Sequence, residues 1–198
     1  MEALYGLFGV VLGAVLTLAS ELLKDYKSRK KRAEYLAIRI SCAFDRYVDQ
    51  CVAVANDGGV EDQEGCTITQ EPDPEIDIQS FDVDWQSLPA TLMYQILSFP
   101  NLMEEAKQSI SSVAFYVAGP PDYFEAIEER QYQYATLGVK AGDIAKELRE
   151  KYNLPVRNYE FWDPIESMKK TIKEIIEQRN EREKKQKSFM DSISKTNA

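Results

Sequence analysis

Residues 3–32 read ALYGLFGVVLGAVLTLASELLKDYKSRKKR, and this stretch decides the architecture that the sequence predicts. Its first part, residues 3–20, contains no charged residue. At about 1.5 Å per residue, a helix of this length measures roughly 27 Å, close to the hydrocarbon thickness of a bilayer. A buried helix of a soluble protein is rarely apolar on every side. We therefore predict a single transmembrane helix within residues 1–23.

Basic residues follow the apolar stretch, whereas only Met1 and Glu2 precede it. The positive-inside rule then places the N-terminus outside and the rest of the chain in the cytoplasm, at the plasma (inner) membrane. A cleaved signal peptide would carry its positive charges before the apolar run. We interpret the basic cluster mainly as a topology signal, with a lipid-headgroup site as the alternative. Its members are Lys24, Lys27, Arg29, Lys30, Lys31 and Arg32.

Small residues recur along one face of the apolar helix. Such residues allow the backbones of two membrane helices to approach closely, and the pattern includes one G-x-x-x-G pair. The pattern favours an anchor that associates with itself or with another membrane protein. The alternative is that glycine is simply common in membrane helices. The residues of this small-residue stripe are Gly6, Gly9, Gly13, Thr17 and Ser20.

The helix is expected to continue beyond the membrane to about Ala55, because no proline or glycine occurs between Ala14 and Asp57. Residues 24–56 are predicted to be a basic juxtamembrane segment leading into an amphipathic helix, the first helix of a bundle. Apolar residues recur there at spacings of three and four, which is typical of one buried helix face. That face consists of Leu36, Ile40, Phe44, Tyr47, Cys51 and Val54.

Residues 57–86 differ in kind, because they include ten acidic residues and neither lysine nor arginine. Glycine and proline punctuate this segment, so it is predicted to be an acidic surface loop. Apolar and acidic residues alternate in its second half, which indicates an extended segment packed on the helices. The spacing of Asp73, Glu75 and Asp77 resembles the start of a calcium loop, but Ile78 occupies the position that requires glycine. A solvated loop is the simpler interpretation.

Residues 87–178 are predicted to form the rest of an all-α, antiparallel helical bundle. A short helix should end near Pro100, and a second should begin at Asn101 and stop before Gly119. Asp122, with Glu125 three residues later, is a start signal for a long helix predicted over residues 123–152, and Asp163 followed by proline begins another. The long helix has an apolar seam suited to bundle packing, and residues 179–198 form a charged tail. The seam residues are Ile127, Tyr134, Leu137, Ala141, Ile144 and Leu148.

The composition argues against several classes of chemistry. The chain has no histidine and three cysteines without C-x-x-C spacing, which disfavours zinc sites and a disulfide framework. The net charge of -9 disfavours binding to nucleic acid. No nucleophile, dinucleotide or phosphate-binding motif occurs. Glu125 and Glu129 are interpreted as a solvated helix face, and Phe115, Tyr116, Tyr132 and Tyr134 as core and rim. We expect no enzymatic activity, no cofactor and no metal.

These features favour a membrane-anchored cytoplasmic interaction or scaffold protein, with the bilayer and either itself or another membrane protein as partners. The alternative is an oligomerising membrane-active effector, of a defence or toxin type, that disturbs the bilayer. Phe189, Met190 and Ile193 in the charged tail are candidates for docking a partner. The simpler interpretation of these three residues is that they are isolated apolar side chains in a fraying helix.

Overall fold

The computed structural model describes the backbone of residues 2–81, 83–120 and 123–196, and the side chains of residues 13–81, 83–120 and 123–193. Four α-helices account for most of this part of the chain, which confirms the all-helical prediction. A small antiparallel hairpin in the acidic segment, with Val60 opposite Ile68, was not predicted. The elements are α1 (Glu2–Ala55), β1 (Val60–Glu61), β2 (Thr67–Ile68), a 3-10 turn (Trp85–Ser87), α2 (Ala90–Tyr116), α3 (Phe124–Tyr152) and α4 (Pro164–Thr196).

Helix α3 lies at the centre of the bundle and packs against the other three helices. It runs antiparallel to α1, since Asp57 at the end of α1 binds Arg130 near the start of α3. At the other end of α3, Arg149 binds Asp45. The second half of the acidic segment packs against the core, as predicted, and Ile78 is buried there.

Helices α2 and α4 also run antiparallel to α3. Ser109 of α2 binds Glu129 near the start of α3, and Arg179 of α4 binds Glu128. Helices α1, α2 and α4 are therefore parallel to one another. Helices α1 and α2 can be parallel because the long connection over residues 56–89 runs from the C-terminus of α1 back along the bundle to the N-terminus of α2. We call the end near Ala33 the proximal end. The distal end comprises the C-termini of α1 and α2 and the N-terminus of α3.

The predicted buried face of α1 and the seam of α3 form the core. All six residues of the α1 face are at most 1% exposed, and Phe99 of α2 packs edge-on against Phe44 and Tyr47. Cys51 is fully buried, and burial raises the pKa of its thiol, which fits its predicted role as a small core residue.

The predicted helix break at Pro100 is wrong, because α2 continues through this residue from Ala90 to Tyr116. The buried residues of α2 occur at spacings of four, three, four and three on both sides of Pro100. Their common burial against the bundle compensates for the backbone hydrogen bond that proline cannot donate. These residues are Leu92, Ile96, Phe99, Met103 and Ala106.

The boundaries of α3 and the start of α4 agree with the predicted segments, and α4 continues to Thr196. Asn153 ends α3 in the left-handed conformation, with φ of 51°, and its N–H donates to the carbonyl of Arg149. Asp163 begins α4 by accepting a hydrogen bond from the N–H of Ile165 at 2.8 Å. The predicted start signal at Asp122 lies outside the described residues, and Tyr123 precedes α3 with φ of 46°.

Two helices extend beyond the bundle at opposite ends. Every described residue of α1 from Gly13 to Arg32 is exposed, and the first buried residue is Ala33. At the distal end, every residue of α4 from 181 to 193 is exposed. We call residues 183–193 the overhang. The bundle thus carries one projecting helix at each end.

Candidate functional site

The projecting part of α1 exposes large apolar side chains over about half of its circumference before its basic residues begin, and the small-residue stripe occupies the other side. Among the described residues of the small-residue stripe, Thr17 donates its hydroxyl proton to the carbonyl of Gly13 at 2.9 Å. Ser20 likewise donates to the carbonyl of Thr17 at 2.8 Å. No atom lies within 4 Å of a Cβ built on Gly13. The exposed apolar residues are Val15, Leu16, Leu18, Leu22 and Leu23.

The other part of the small-residue stripe, Gly6 and Gly9, lies outside the described side chains, as does most of the apolar run. Among the described residues, no helix has both the length and the apolar character needed to cross a bilayer.

All six residues of the predicted basic cluster are exposed on the projecting helix. Lys30 forms an ion pair with Glu34 at 3.9 Å along the helix. Arg32 lies 3.5 Å from Asp84, where the acidic segment returns to the proximal end. The basic cluster therefore ends where the folded bundle begins.

At the distal end, a network of charged residues joins α4 to α3 and α2. Arg179 donates to Glu128 and to Glu129, both at 2.8 Å, and Arg182 also binds Glu128. Ser109 of α2 donates to Glu129 at 2.6 Å. Such charge-assisted bonds are stronger than neutral ones, and they attach α4 to the N-terminal part of α3.

Glu129 is buried in this network, so the prediction that it belongs to a solvated face is wrong. Burial alone would raise the pKa of this carboxyl. Hydrogen bonds from Ser109, Gln133 and Arg179, together with the charge of Arg179, outweigh that effect and lower the pKa below its ordinary value. Glu125, in contrast, is half-exposed.

A signal for this network was present in the sequence. Arg179 and Arg182 continue the spacing of Met168, Ile172 and Ile175, so they lie on the face of α4 that packs on α3. Arginines in such a seam require acidic partners on the opposite helix. The identity of those partners follows only from the packing of the helices.

A second network attaches the acidic segment to α3. The Arg130 guanidinium binds the carboxylates of Asp57 at 3.3 Å and Asp73 at 3.1 Å, and the carbonyl of Glu71 at 2.6 Å. Burial opposes the charged form of Asp57, but backbone N–H groups and Arg130 lower its pKa. Asp73, from the proposed calcium-loop pattern, therefore binds arginine. Among the described residues, no cluster of three or more acidic, cysteine or histidine side chains could hold a metal.

The overhang carries apolar residues on the face of α4 that contacts the bundle. Phe189, Met190 and Ile193 follow Met168 and Ile175 at helical spacing, so they project from the same side. They are 64%, 62% and 42% exposed because they lie beyond the N-terminal end of α3. They are thus the unpartnered continuation of a packing face.

Further apolar side chains are exposed where α2 ends. Phe115 and Tyr116 are each 80% exposed, with ring centroids 4.8 Å apart, so the prediction that they belong to core and rim is wrong. Val113 and Val117 line a cleft between α2 and α4 together with Gln186 of the overhang. The end of α2 and the overhang therefore both expose apolar residues at the distal end of the bundle.

Comparisons with protein-family models, with curated proteins and with solved structures find no match for this chain. Its function must therefore be inferred from its own residues.

Proposed function

We propose that this protein is a membrane-anchored interaction protein, with a transmembrane helix in residues 1–23 and its bundle in the cytoplasm. The observation that carries this proposal is the projecting part of α1, whose Val15, Leu16 and Leu18 are each more than half exposed. Burying such side chains in a bilayer is favourable, whereas leaving all of them in water is not. The basic residues that follow support the cytoplasmic orientation of the bundle.

The distal end of the bundle is the proposed surface for a protein partner. It lies opposite the anchor, so it is accessible when the helix of the anchor is inserted. Its exposed Phe115, Tyr116 and Phe189 belong to the apolar and aromatic side chains that interfaces favour. Tethering to a membrane raises the effective concentration of two partners that share it, which allows a small contact surface to suffice.

The small-residue stripe is the proposed contact between two anchors. The open space beside Gly13 is compatible with the close approach of a second helix. Exchange of Gly9 and Gly13 for leucine should reduce chemical crosslinking of the full-length chain in membranes. Leucine replacement of Ala14 and Ala19, which lie outside the stripe, provides the control.

The anchor itself is tested by extracting membranes of cells that express the full-length chain. The unmodified protein should remain with membranes after an alkaline carbonate wash, and L16K/L18K should be released. The two lysines shorten the uncharged run to residues 3–15, about 20 Å of helix, which is too short to span the hydrocarbon core. The control variant Y94K/L97K changes two exposed residues of α2 and should remain bound. Unmodified protein in the supernatant before any wash would contradict the anchor.

The partner surface is tested by purification from detergent extracts. Exchange of Phe189 and Met190 for serine should abolish recovery of a partner that binds reproducibly to the unmodified chain, whereas exchange of Tyr94 for serine should not. The alternative function, an oligomerising effector, predicts that expression lowers the membrane potential in a manner that depends on Gly9 and Gly13. An unchanged potential favours the interaction protein.

A further inference from the structure

The helical geometry of α1 distributes the residues of the basic cluster around the helix axis. At about 100° per residue, the six cations over residues 24–32 occupy all sides of the helix, with no gap wider than about 100°. A helix lying flat on a membrane would carry its cations on one side. These residues instead form a collar around the helix, about 12 Å long.

Most of the charge on this collar is not neutralised by the protein. Among the described side chains, Lys30 and Arg32 each have an acidic partner within 4 Å, and the other four cations have none. All six are exposed, since the bundle begins only at Ala33. Lys24, Lys27 and Lys31 lie on one side of the helix and Arg29 lies roughly opposite, so uncompensated positive charge faces the surroundings on two sides. Asp25 is the one acidic residue within residues 24–32, and the cations outnumber it six to one.

We propose that the collar binds anionic phospholipid headgroups and that such lipids are enriched around the anchor. This inference rests on the proposed membrane anchor and specifies the lipid class that it selects. One cation close to an anionic surface increases the equilibrium constant for contact with that surface by about fivefold. A ring of cations surrounding an upright helix can contact several headgroups at once. The headgroup layer of a bilayer has a thickness of about 5–8 Å, which the collar spans.

The charge of the rest of the chain supports this orientation. The net charge of the whole protein is -9, and the collar is positive, so the bundle is more acidic than the chain as a whole. An anionic surface repels the bundle and attracts the collar. The pair of Arg32 and Asp84 marks the boundary between these two regions. The bundle therefore stands away from the membrane, with its distal end exposed.

The experiment measures which lipids contact the full-length chain in phosphatidylcholine vesicles. Spin-labelled phosphatidylglycerol and spin-labelled phosphatidylcholine are compared by the fraction of each that the protein immobilises. The test variant replaces Lys24, Lys27, Lys30 and Lys31 by glutamine. The control variant makes the same change in net charge on α4. It replaces Lys170, Lys173, Lys184 and Lys185, which are exposed lysines far from the collar.

The unmodified chain and the control should prefer the anionic probe by about twofold to fivefold, since some neighbouring lipids contact no cation. The collar variant should lose most of this preference. Raising the salt concentration from 0.1 to 1 M should have a similar effect, because the screening length falls from about 10 to 3 Å.

Equal immobilisation of both probes by an inserted, unmodified chain would overturn the collar proposal and leave the anchor proposal standing. Equal loss of preference in the collar and control variants would also overturn it, because net charge would then be responsible. A chain that does not float with vesicles of either composition would refute the anchor and the collar together.

Discussion

Replacing Gly138 by alanine should destabilise the bundle, because a side chain at this position has no space. A Cβ built there would lie 2.4 Å from Sδ of Met168 and 2.7 Å from Cβ of Cys51. Both neighbours are fully buried. Met168 could change its rotamer, but the Cβ of Cys51 is bonded to the backbone of α1. Relief of that contact requires α1 and α3 to move apart.

The expected loss follows from two opposing effects. Alanine favours the helical interior over glycine by about 0.5–1 kcal/mol. Overpacking a core costs about 1–3 kcal/mol, and the immovable contact with Cys51 places Gly138→Ala near the upper value. The net loss in the free energy of unfolding is thus about 2 kcal/mol. For a protein of this size, this corresponds to a decrease in Tm of about 4–8 °C.

Gly142→Ala is the matched control, since it lies one turn later in the same helix and gains the same helix propensity. Its Cβ would approach the flexible end of Ile165, with Cδ1 at 2.4 Å, and Ile165 is only partly buried. A rotamer change costs about 0.5–1.5 kcal/mol, so the two effects nearly cancel. Thermal and urea unfolding of both full-length variants, followed by circular dichroism in one detergent, measures the difference. Equal stability of the two variants would refute the reasoning.

Three further changes test the networks and α2. Arg130→Ala should cost about 3 kcal/mol in urea unfolding, because it leaves the buried carboxylate of Asp57 without its cation. Glu129→Gln should cost about 1–3 kcal/mol at pH 7. Because the folded-state pKa of Glu129 is lowered, its contribution is complete above the unfolded value of about 4.3 and disappears as the pH falls through the folded value. The stabilities of Glu129→Gln and the unmodified chain should therefore converge in acid, and a constant difference down to pH 2 would contradict this assignment. Pro100→Ala should stabilise the protein by about 1–2 kcal/mol, because it restores a hydrogen bond inside α2; a loss in Tm would show that the surrounding structure depends on proline.

The sequence could predict features that depend on neighbours a few residues apart. The apolar face from Leu36 to Val54, the acidic start of α4 at Asp163 and the end of α3 at Asn153 agree with the structure. Helical periodicity and capping are local, because they depend on the backbone geometry of three to five residues. The uncharged run and the basic residues after it are also local features of the sequence. They predict a membrane anchor from the residue types in one short stretch.

The tertiary structure decided which residues these local elements bring together. Pro100 lies inside a continuous helix because the faces on both sides of it pack on one bundle. Glu129 is buried because Arg179, fifty residues later, arrives at the same level of α3, and Asp57 is buried because Arg130 does. The overhang is exposed because α4 extends past the N-terminal end of α3, so no helix packs against its last residues. Burial and pairing depend on residues far apart in the chain, and only the packing of whole helices determines them.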